Sequence, residues 1–182
     1  MLFRSTILPA HCEALAKQCA ELGVLFLDAP VSGGGGAAAA GKLTVMCGGD
    51  AEAFERAGPV FASFAGLTVR LGEAGSGQRA KLINNALMAA HMGLAHAALG
   101  AGDALHIDRT ALAELIKQSS GRSFGFEVYA RLPTPAAFTH GAPLLAKDVA
   151  LLAEVLGDDD NAAVLRAAAD HFLAAAAATR NS

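Results

Sequence analysis

The spacing of apolar residues changes character partway along the chain. Up to about residue 74, short apolar runs alternate with short helical patterns. Phe3–Leu8 is a brief β-tolerant run, and Pro9 then suits the first turn of a helix. Ala10–Leu22 continues at helical spacing, with Leu15, Cys19 and Leu22 on one stripe and Gly23 as the stop. Val24–Leu27 is continuously apolar and reads as a buried strand. Strand, helix and strand in this order predict a parallel βαβ unit at the start of the chain. Leu43–Cys47 is a further strand, Ala51–Phe61 a short helix ended at or before Pro59, and Thr68–Leu71 a last strand. From Gly77 onward the spacing is helical. Gln78 to about Leu105 is one long helix whose small residues allow close backbone packing. Asp108 caps a helix through Ser119, and Phe124–Leu132 is helical until Pro133 and Pro135. Pro143 opens another helix, with Leu144, Leu145, Val149, Leu152, Val155 and Leu156 at helical spacing, and an Ala-rich helix runs to about Ala178. The expected fold class is therefore α/β followed by all-α, with domains at 1–74 and 75–182.

The chain has 182 residues, 53% of them hydrophobic and 17% charged, with a formal net charge of −3. That is enough apolar chain for a real core. Near-neutral charge and 5% aromatics exclude nucleic acid and anionic membrane as main partners, because both call for basic or stacking surfaces. Leu82–Gly102 carries no Asp, Glu, Lys or Arg, but Asn84, Asn85, His91 and His96 interrupt it, so it reads as a buried helix and not a membrane span. The amino terminus lacks the pattern of a signal peptide. Three cysteines without a C-x-x-C point to a reduced, cytoplasmic protein. The six histidines have no metal-ligand spacing, so no metal is expected. The Asp158–Asn161 run lacks the spacing of a calcium loop and reads as a helix N-cap.

Three segments could carry chemistry. Gly33-x-Gly35-x-x-Ala38 follows a strand and formally matches a dinucleotide fingerprint, but too few residues separate it from the next strand for a crossover helix. The backbone N–H groups of Ser32–Gly35 could instead form a nest for a carboxylate, or the segment is a flexible turn. Gly75-Ser76-Gly77 opens the long helix, with Lys81 in its early turns and Asn85 one turn on, both pointing from one face. A buried lysine near a helix N-terminus has its pKa lowered and suits proton transfer; the alternative is a snorkelling surface lysine. Lys147-Asp148 falls, by spacing alone, on the solvent face of its helix.

In this order these segments resemble the β-hydroxyacid dehydrogenase family, which includes 3-hydroxyisobutyrate dehydrogenase. Phe26-Leu27-Asp28-Ala29-Pro30-Val31-Ser32-Gly33-Gly34 looks like its substrate-binding motif, and Gly75-x-Gly77-x-x-x-Lys81-x-x-Asn84-Asn85 like its catalytic motif. Lys147-Asp148-x-x-Leu151 looks like its carboxy-terminal cofactor motif, and Ser5-Thr6-x-x-Pro9 like the element beside the nicotinamide. The family's opening G-x-G-x-x-G unit has no counterpart among these residues. The resemblance thus implies the back part of a Rossmann-type NAD(P)-binding domain, joined by a long helix to a helical 6-phosphogluconate-dehydrogenase-like C-terminal domain, in an incomplete chain.

The same resemblance implies roles. Ser32, Gly33 and Gly34 would hold a substrate carboxylate, Lys81 would be the general acid/base, and Asn85 would orient the substrate. Thr6 and Lys147 would contact NAD or NADP. The substrate would be a short β-hydroxy acid, and the helical domain would make a homo-oligomer. Without a pyrophosphate cradle, titration calorimetry of this chain with NAD and NADP is expected to show weak or no binding. Two other readings stay open: a reductase of a tartronate semialdehyde-type substrate, and a non-catalytic helical assembly module in which Lys81→Ala changes no measurable property.

Overall fold

A computed structural model describes residues 6–178. It divides into two compact units, Met1–Ile83 and Asn84–Ser182. In the first unit, α1 spans Pro9–Glu21 with Pro9 at its first position. Then come β1 (Leu27–Asp28), β2 (Val31–Ser32), α2 (Gly34–Ala39), β3 (Leu43–Gly49), α3 (Ala51–Ala62) and β4 (Ala65–Arg70). The next helix, α4 (Ser76–Ala104), begins in the first unit and continues into the second. The second unit adds α5 (Arg109–Lys117), α6 (Phe124–Tyr129), a short 3-10 turn at Pro135–Ala137, α7 (Gly141–Leu156) and α8 (Asp160–Ala178).

β3 organises the sheet. β4 runs parallel to it, and α3 makes the crossover between them. β1 and β2 pair antiparallel with β3 in one unbroken register, from Leu27 opposite Gly49 to Ser32 opposite Thr44. Pro30 lacks an N–H, which interrupts the ladder, but its carbonyl still accepts from Met46 N at 2.9 Å. Residues 27–32 thus behave as one strand with a proline gap. Val45 and Cys47 are fully buried on β3 and pack with Phe61, Leu27, Val31, Phe54 and Phe64.

Several expectations need correction. Residues 3–5 of the first expected strand lie outside the described residues, and Thr6–Leu8 is not strand. Val24 and Leu25 are exposed and outside the ladder, and the parallel βαβ unit among the described residues is β3–α3–β4; the expected pairing of residues 3–8 with 24–27 falls partly outside the described residues. β2 and β3 pair antiparallel because only the short segment 33–42 joins them. On α1 the buried stripe is Pro9 and Cys12, while Leu15 and Leu22 are exposed. Pro59 sits inside α3 without ending it. Phe61, one position past Val60, is held between the Phe54 and Phe64 rings at 6.3 and 6.1 Å, and that packing keeps the last turn in place.

Asp108 caps α5 as expected, its Oδ1 accepting from Ala111 N at 2.7 Å, and Asp50, not singled out from the sequence, caps α3 through Oδ1, which accepts from Glu52 N and Ala53 N. In the helical unit, Ala86, Ala89, Met92 and Leu99 of α4 are buried with Ala169 and Phe172 of α8.

His96 contributes to this core. A 2.6 Å hydrogen bond joins its Nδ1 to the Tyr129 hydroxyl, and the His171 ring lies 4.9 Å away, centroid to centroid. Arg109, itself paired to Asp103 at 2.6 Å, also faces the cluster. Burial first, then His171 and Arg109, lower the His96 pKa, while burial raises that of Tyr129. The unfolded chain therefore takes up a proton at a higher pH than the folded one. The stabilising contribution is full above the ordinary histidine pKa of about 6.5 and is lost as pH falls below it. Urea midpoints are expected to drop between pH 7.5 and pH 5.5, and His96→Gln is expected to flatten that dependence.

Candidate active site

The site is best built from Asp28. This residue ends β1, is 4% exposed, and would be an isolated charge in a core without partners. Its two oxygens are used separately: Oδ1 accepts from Gly75 N at 2.7 Å and Oδ2 from Gln78 N at 2.8 Å. These are backbone donors at the start of α4, which otherwise have no partner within the helix. The carboxylate lies between Gly48 and Gly77, where a Cβ on either glycine would collide with it. Burial first, then the Asp28 charge, push the thiols of both Cys12 and Cys47 up to about 11.

Gln78 extends the link. Its Oε1 accepts from Ile7 N at 3.2 Å, so the residue after Thr6 is held to the same helical turn. Thr6 itself is buried. Arg79 pairs with Glu13 of α1 on the outside of this junction. Lys81 follows three residues after Gln78 and is only 9% exposed, beside fully buried Leu82. It is not the snorkelling surface lysine that spacing alone allowed.

Ser32 pairs opposite Thr44 and leads into Gly33 and Gly34, whose φ values are +126° and +66°. A side chain at Gly33 would meet the Ala37 Cβ at 2.5 Å, so this turn needs glycine there. The loop runs into α2, a six-residue helix, and then returns antiparallel along β3.

Asn85 lies one turn after Lys81 on α4 and belongs to the helical unit. Its Oδ1 accepts from Asn84 Nδ2 at 3.1 Å, and its Nδ2 donates to Asp148 Oδ2 at 2.5 Å. Lys147 Nζ is 3.1 Å from the other Asp148 oxygen. The structure therefore brings Asn85 and Lys147 together through Asp148, and it brings the Thr6 segment and the Lys81 helix together through Gln78 and Asp28.

Asp28 and Asp148 are the residues that spacing missed or misplaced. Asp148 is 2% exposed and not on the solvent face of α7. The signal was present: Leu145, Asp148, Val149 and Leu152 share the buried stripe, so a carboxylate interrupts an apolar face. Lys147 lies off that stripe and is exposed. Asp28 gives a similar signal, a charge inside the apolar run Phe26–Val31.

Residues 1–72 match the model of the NAD-binding domain of 6-phosphogluconate dehydrogenase. Residues 75–182, more than half the chain, match the model of the NAD-binding region of NADP-dependent 3-hydroxyisobutyrate dehydrogenase. The chain belongs to the 3-hydroxyisobutyrate dehydrogenase family. An NAD-dependent L-serine dehydrogenase of Pseudomonas aeruginosa is 40% identical over 159 residues, covering 82% of this chain and 53% of that protein. An L-threonate dehydrogenase of Cupriavidus necator is 44% identical over 124 residues, 68% of this chain and 42% of that protein. The solved Mycobacterium tuberculosis 3-hydroxyisobutyrate dehydrogenase with L-serine superposes with a TM-score of 0.78 at 28% identity, covering 96% of this chain and 68% of that one. The chain spans about half the length of the L-serine and L-threonate dehydrogenases it matches.

An NAD(P) cofactor, which the family implies, can be set against the donors present. A buried hydroxyl at Thr6 and an exposed ammonium at Lys147 are the donor types that a nicotinamide amide, a ribose or a phosphate accepts. Gly33–Gly36 does not offer a pyrophosphate cradle, because it leads into α2 and an antiparallel return, and at the β3–Gly48–Gly49–α3 crossover the first helical N–H groups are taken by the Asp50 carboxylate. No helix among the described residues is long and apolar enough to cross a membrane.

Proposed function

We propose that the chain supplies the proton-transfer and substrate-binding residues of an NAD(P)-dependent β-hydroxyacid dehydrogenase. Its reaction interconverts a short β-hydroxy acid and the corresponding semialdehyde. The observation that carries this reading is the burial of Lys81 on α4, a helix whose first turn is tied to the strand that leads into Ser32–Gly34. A lysine costs too much to bury there for packing alone.

In the oxidation direction Lys81 Nζ, as the neutral amine, takes the proton of the substrate hydroxyl; in reduction, as the ammonium, it returns that proton. Nicotinamide, when bound, supplies the hydride chemistry. Backbone N–H groups at Ser32, Gly33 and Gly34 receive the substrate carboxylate, a role that the positive φ at both glycines supports. Asn85 orients the substrate, with its own amide fixed by Asn84 and Asp148. Thr6 and Lys147 contact the cofactor.

The functional division we propose is 1–74, a partial Rossmann-type domain, and 75–182, a helical catalytic and dimerisation domain. Exposed Leu94, Leu105, Leu115, Phe124 and Val164 on the helical unit support a homo-oligomer formed through it. Free Cys12, Cys19 and Cys47 support a reducing, cytoplasmic setting.

The test is turnover. The chain alone is expected to bind dinucleotide weakly or not at all and to be inactive; joined to a G-x-G-x-x-G βαβ unit that restores the pyrophosphate cradle, it is expected to oxidise at least one of L-serine, L-threonate and 3-hydroxyisobutyrate, followed by dinucleotide absorbance. Absence of turnover with all three, and of reduction of their semialdehydes, overturns the proposal.

A further inference from the structure

Asp28 has no role in the proton transfer just described, yet it is a buried carboxylate held at both oxygens. A charge at 4% exposure needs a reason to persist. Ordinary helices satisfy their first N–H groups with a side chain immediately before the first turn. The carboxylate on α4 instead comes from a strand, 47 residues before Gly75 and 50 before Gln78. It links the end of β1 to the start of the helix that bears Lys81.

The two bonds differ in consequence from one. A single hydrogen bond would leave the helix free to turn about it. Separate oxygens on N–H groups three residues apart fix both the height and the rotation of the first turn. Lys81 stands three residues further on, and a 20° rotation of a helix displaces the end of a side chain by about 2 Å. Displacement of a reacting group by even 1 Å can cost about 100-fold in rate. The surroundings leave little room for an alternative geometry. Gly48 and Gly77 flank the carboxylate so closely that a methyl on either would overlap it. Gly75 has φ +88°, a conformation that lets its N–H reach Asp28 as the chain enters the helix. Gln78, bonded to Asp28 through its N–H, also holds Ile7 through its side chain.

We propose that Asp28 is a positioning residue: by accepting from Gly75 N and Gln78 N it sets the location of Lys81 relative to the strand that leads into Ser32–Gly34. This rests on the proposed role of Lys81, and the test separates the two. Asp28→Asn keeps the shape and one acceptor oxygen, but turns an N–H donor toward a backbone N–H. In the folded variant, joined to the same G-x-G-x-x-G unit, kcat is expected to fall roughly 10-fold or more while KM stays within about twofold, and the pH profile of kcat is expected to move. A residue that acted only on stability would lower the melting temperature and leave kcat per folded molecule and its pH profile alone.

An activity-free readout accompanies this. Trinitrobenzenesulfonate is expected to modify Lys81 slowly in the unaltered chain and at least several-fold faster in Asp28→Asn, with Lys42 and Lys117 unchanged as internal references. Faster labelling of Lys81 supports the positioning role even if no substrate turns over, in which case the dehydrogenase reading alone fails. Unchanged Lys81 labelling together with unchanged kcat overturns the positioning role. Should Asp28→Asn not fold, the unaltered chain decides. Lys81 labelling that tracks exchange of the Gly75 and Gln78 amides across a denaturant series supports the proposal, and labelling through an opening separate from theirs overturns it.

Discussion

Replacing Lys81 with methionine, in the chain joined to a G-x-G-x-x-G unit, is expected to lower turnover by about 10²- to 10⁴-fold, the range that a positioned acid or base contributes. The change is informative because methionine keeps most of the lysine stem. Lys81 is 9% exposed beside Leu82, so its methylenes already pack as an apolar side chain does. Removing the ammonium removes a desolvation cost together with the polar contacts it makes, and the methionine stem is expected to keep the variant folded. Loss of rate without loss of fold would assign the effect to the proton. Lys81→Arg sharpens the result: guanidinium stays charged at any accessible pH and cannot accept the hydroxyl proton, so it is expected to be as inactive as methionine. Calorimetry with dinucleotide should not distinguish the three proteins. If Lys81→Met turns over at the original rate, Lys81 has no part in the reaction. If the chain is an assembly module, neither change alters any property, sedimentation included.

The second large effect is on stability. Gly93 lies in the middle of α4, where glycine normally costs about 1 kcal/mol relative to alanine. Propensity alone therefore predicts that Gly93→Ala stabilises. Packing predicts the reverse, and by more. A Cβ on Gly93 would overlap the carbonyl oxygen of Ala168 on α8, far inside van der Waals contact. That atom is backbone and cannot swing away as a side-chain tip can. Ala169 beside it is fully buried, so α8 cannot shift outward without opening the core around Phe172. Overpacking costs typically about 1–3 kcal/mol and occasionally more, and a clash with backbone falls at the upper end, so we expect a net loss of about 2 kcal/mol after the propensity gain. Urea unfolding at constant m-value measures it. At Gly100, where a Cβ would meet nothing, the same substitution is expected to stabilise slightly. Equal responses at the two positions would show that α4 and α8 do not meet backbone to backbone at Gly93.

The helical half was largely legible. Alanine-rich stretches with apolar positions at helical spacing, bounded by Asp108 and Pro143, leave few alternatives to helix, and α5, α7 and α8 lie close to where spacing placed them. The front was less so. Val24–Leu27 is apolar enough for a buried strand, yet only Leu27 is in the ladder, because an apolar run does not say which neighbour will pair with it. The Leu15–Leu22 stripe failed for a related reason: a short helix with alanine on several faces can bury more than one of them. The glycines at 33–36 signalled a turn, but the antiparallel return that follows depends on β3, which lies later in the chain.

By itself the sequence determined which residues could do chemistry: one lysine in the opening turns of a long helix that carries no charge from Leu82 to Gly102, a glycine turn after a strand, and a Lys-Asp pair. Those are local facts of residue type and spacing, and periodicity reports them faithfully. Only the tertiary structure decided that Lys81 is buried, that Asp28 joins its helix to a strand 47 residues upstream of Gly75, and that Asp148 holds Asn85 from inside the apolar stripe of α7. Burial and long-range hydrogen bonds depend on what arrives from elsewhere in the chain. A carboxylate in isolation is more stable in water than in a core, and it is the backbone N–H groups and the amide brought to it by folding that reverse that preference.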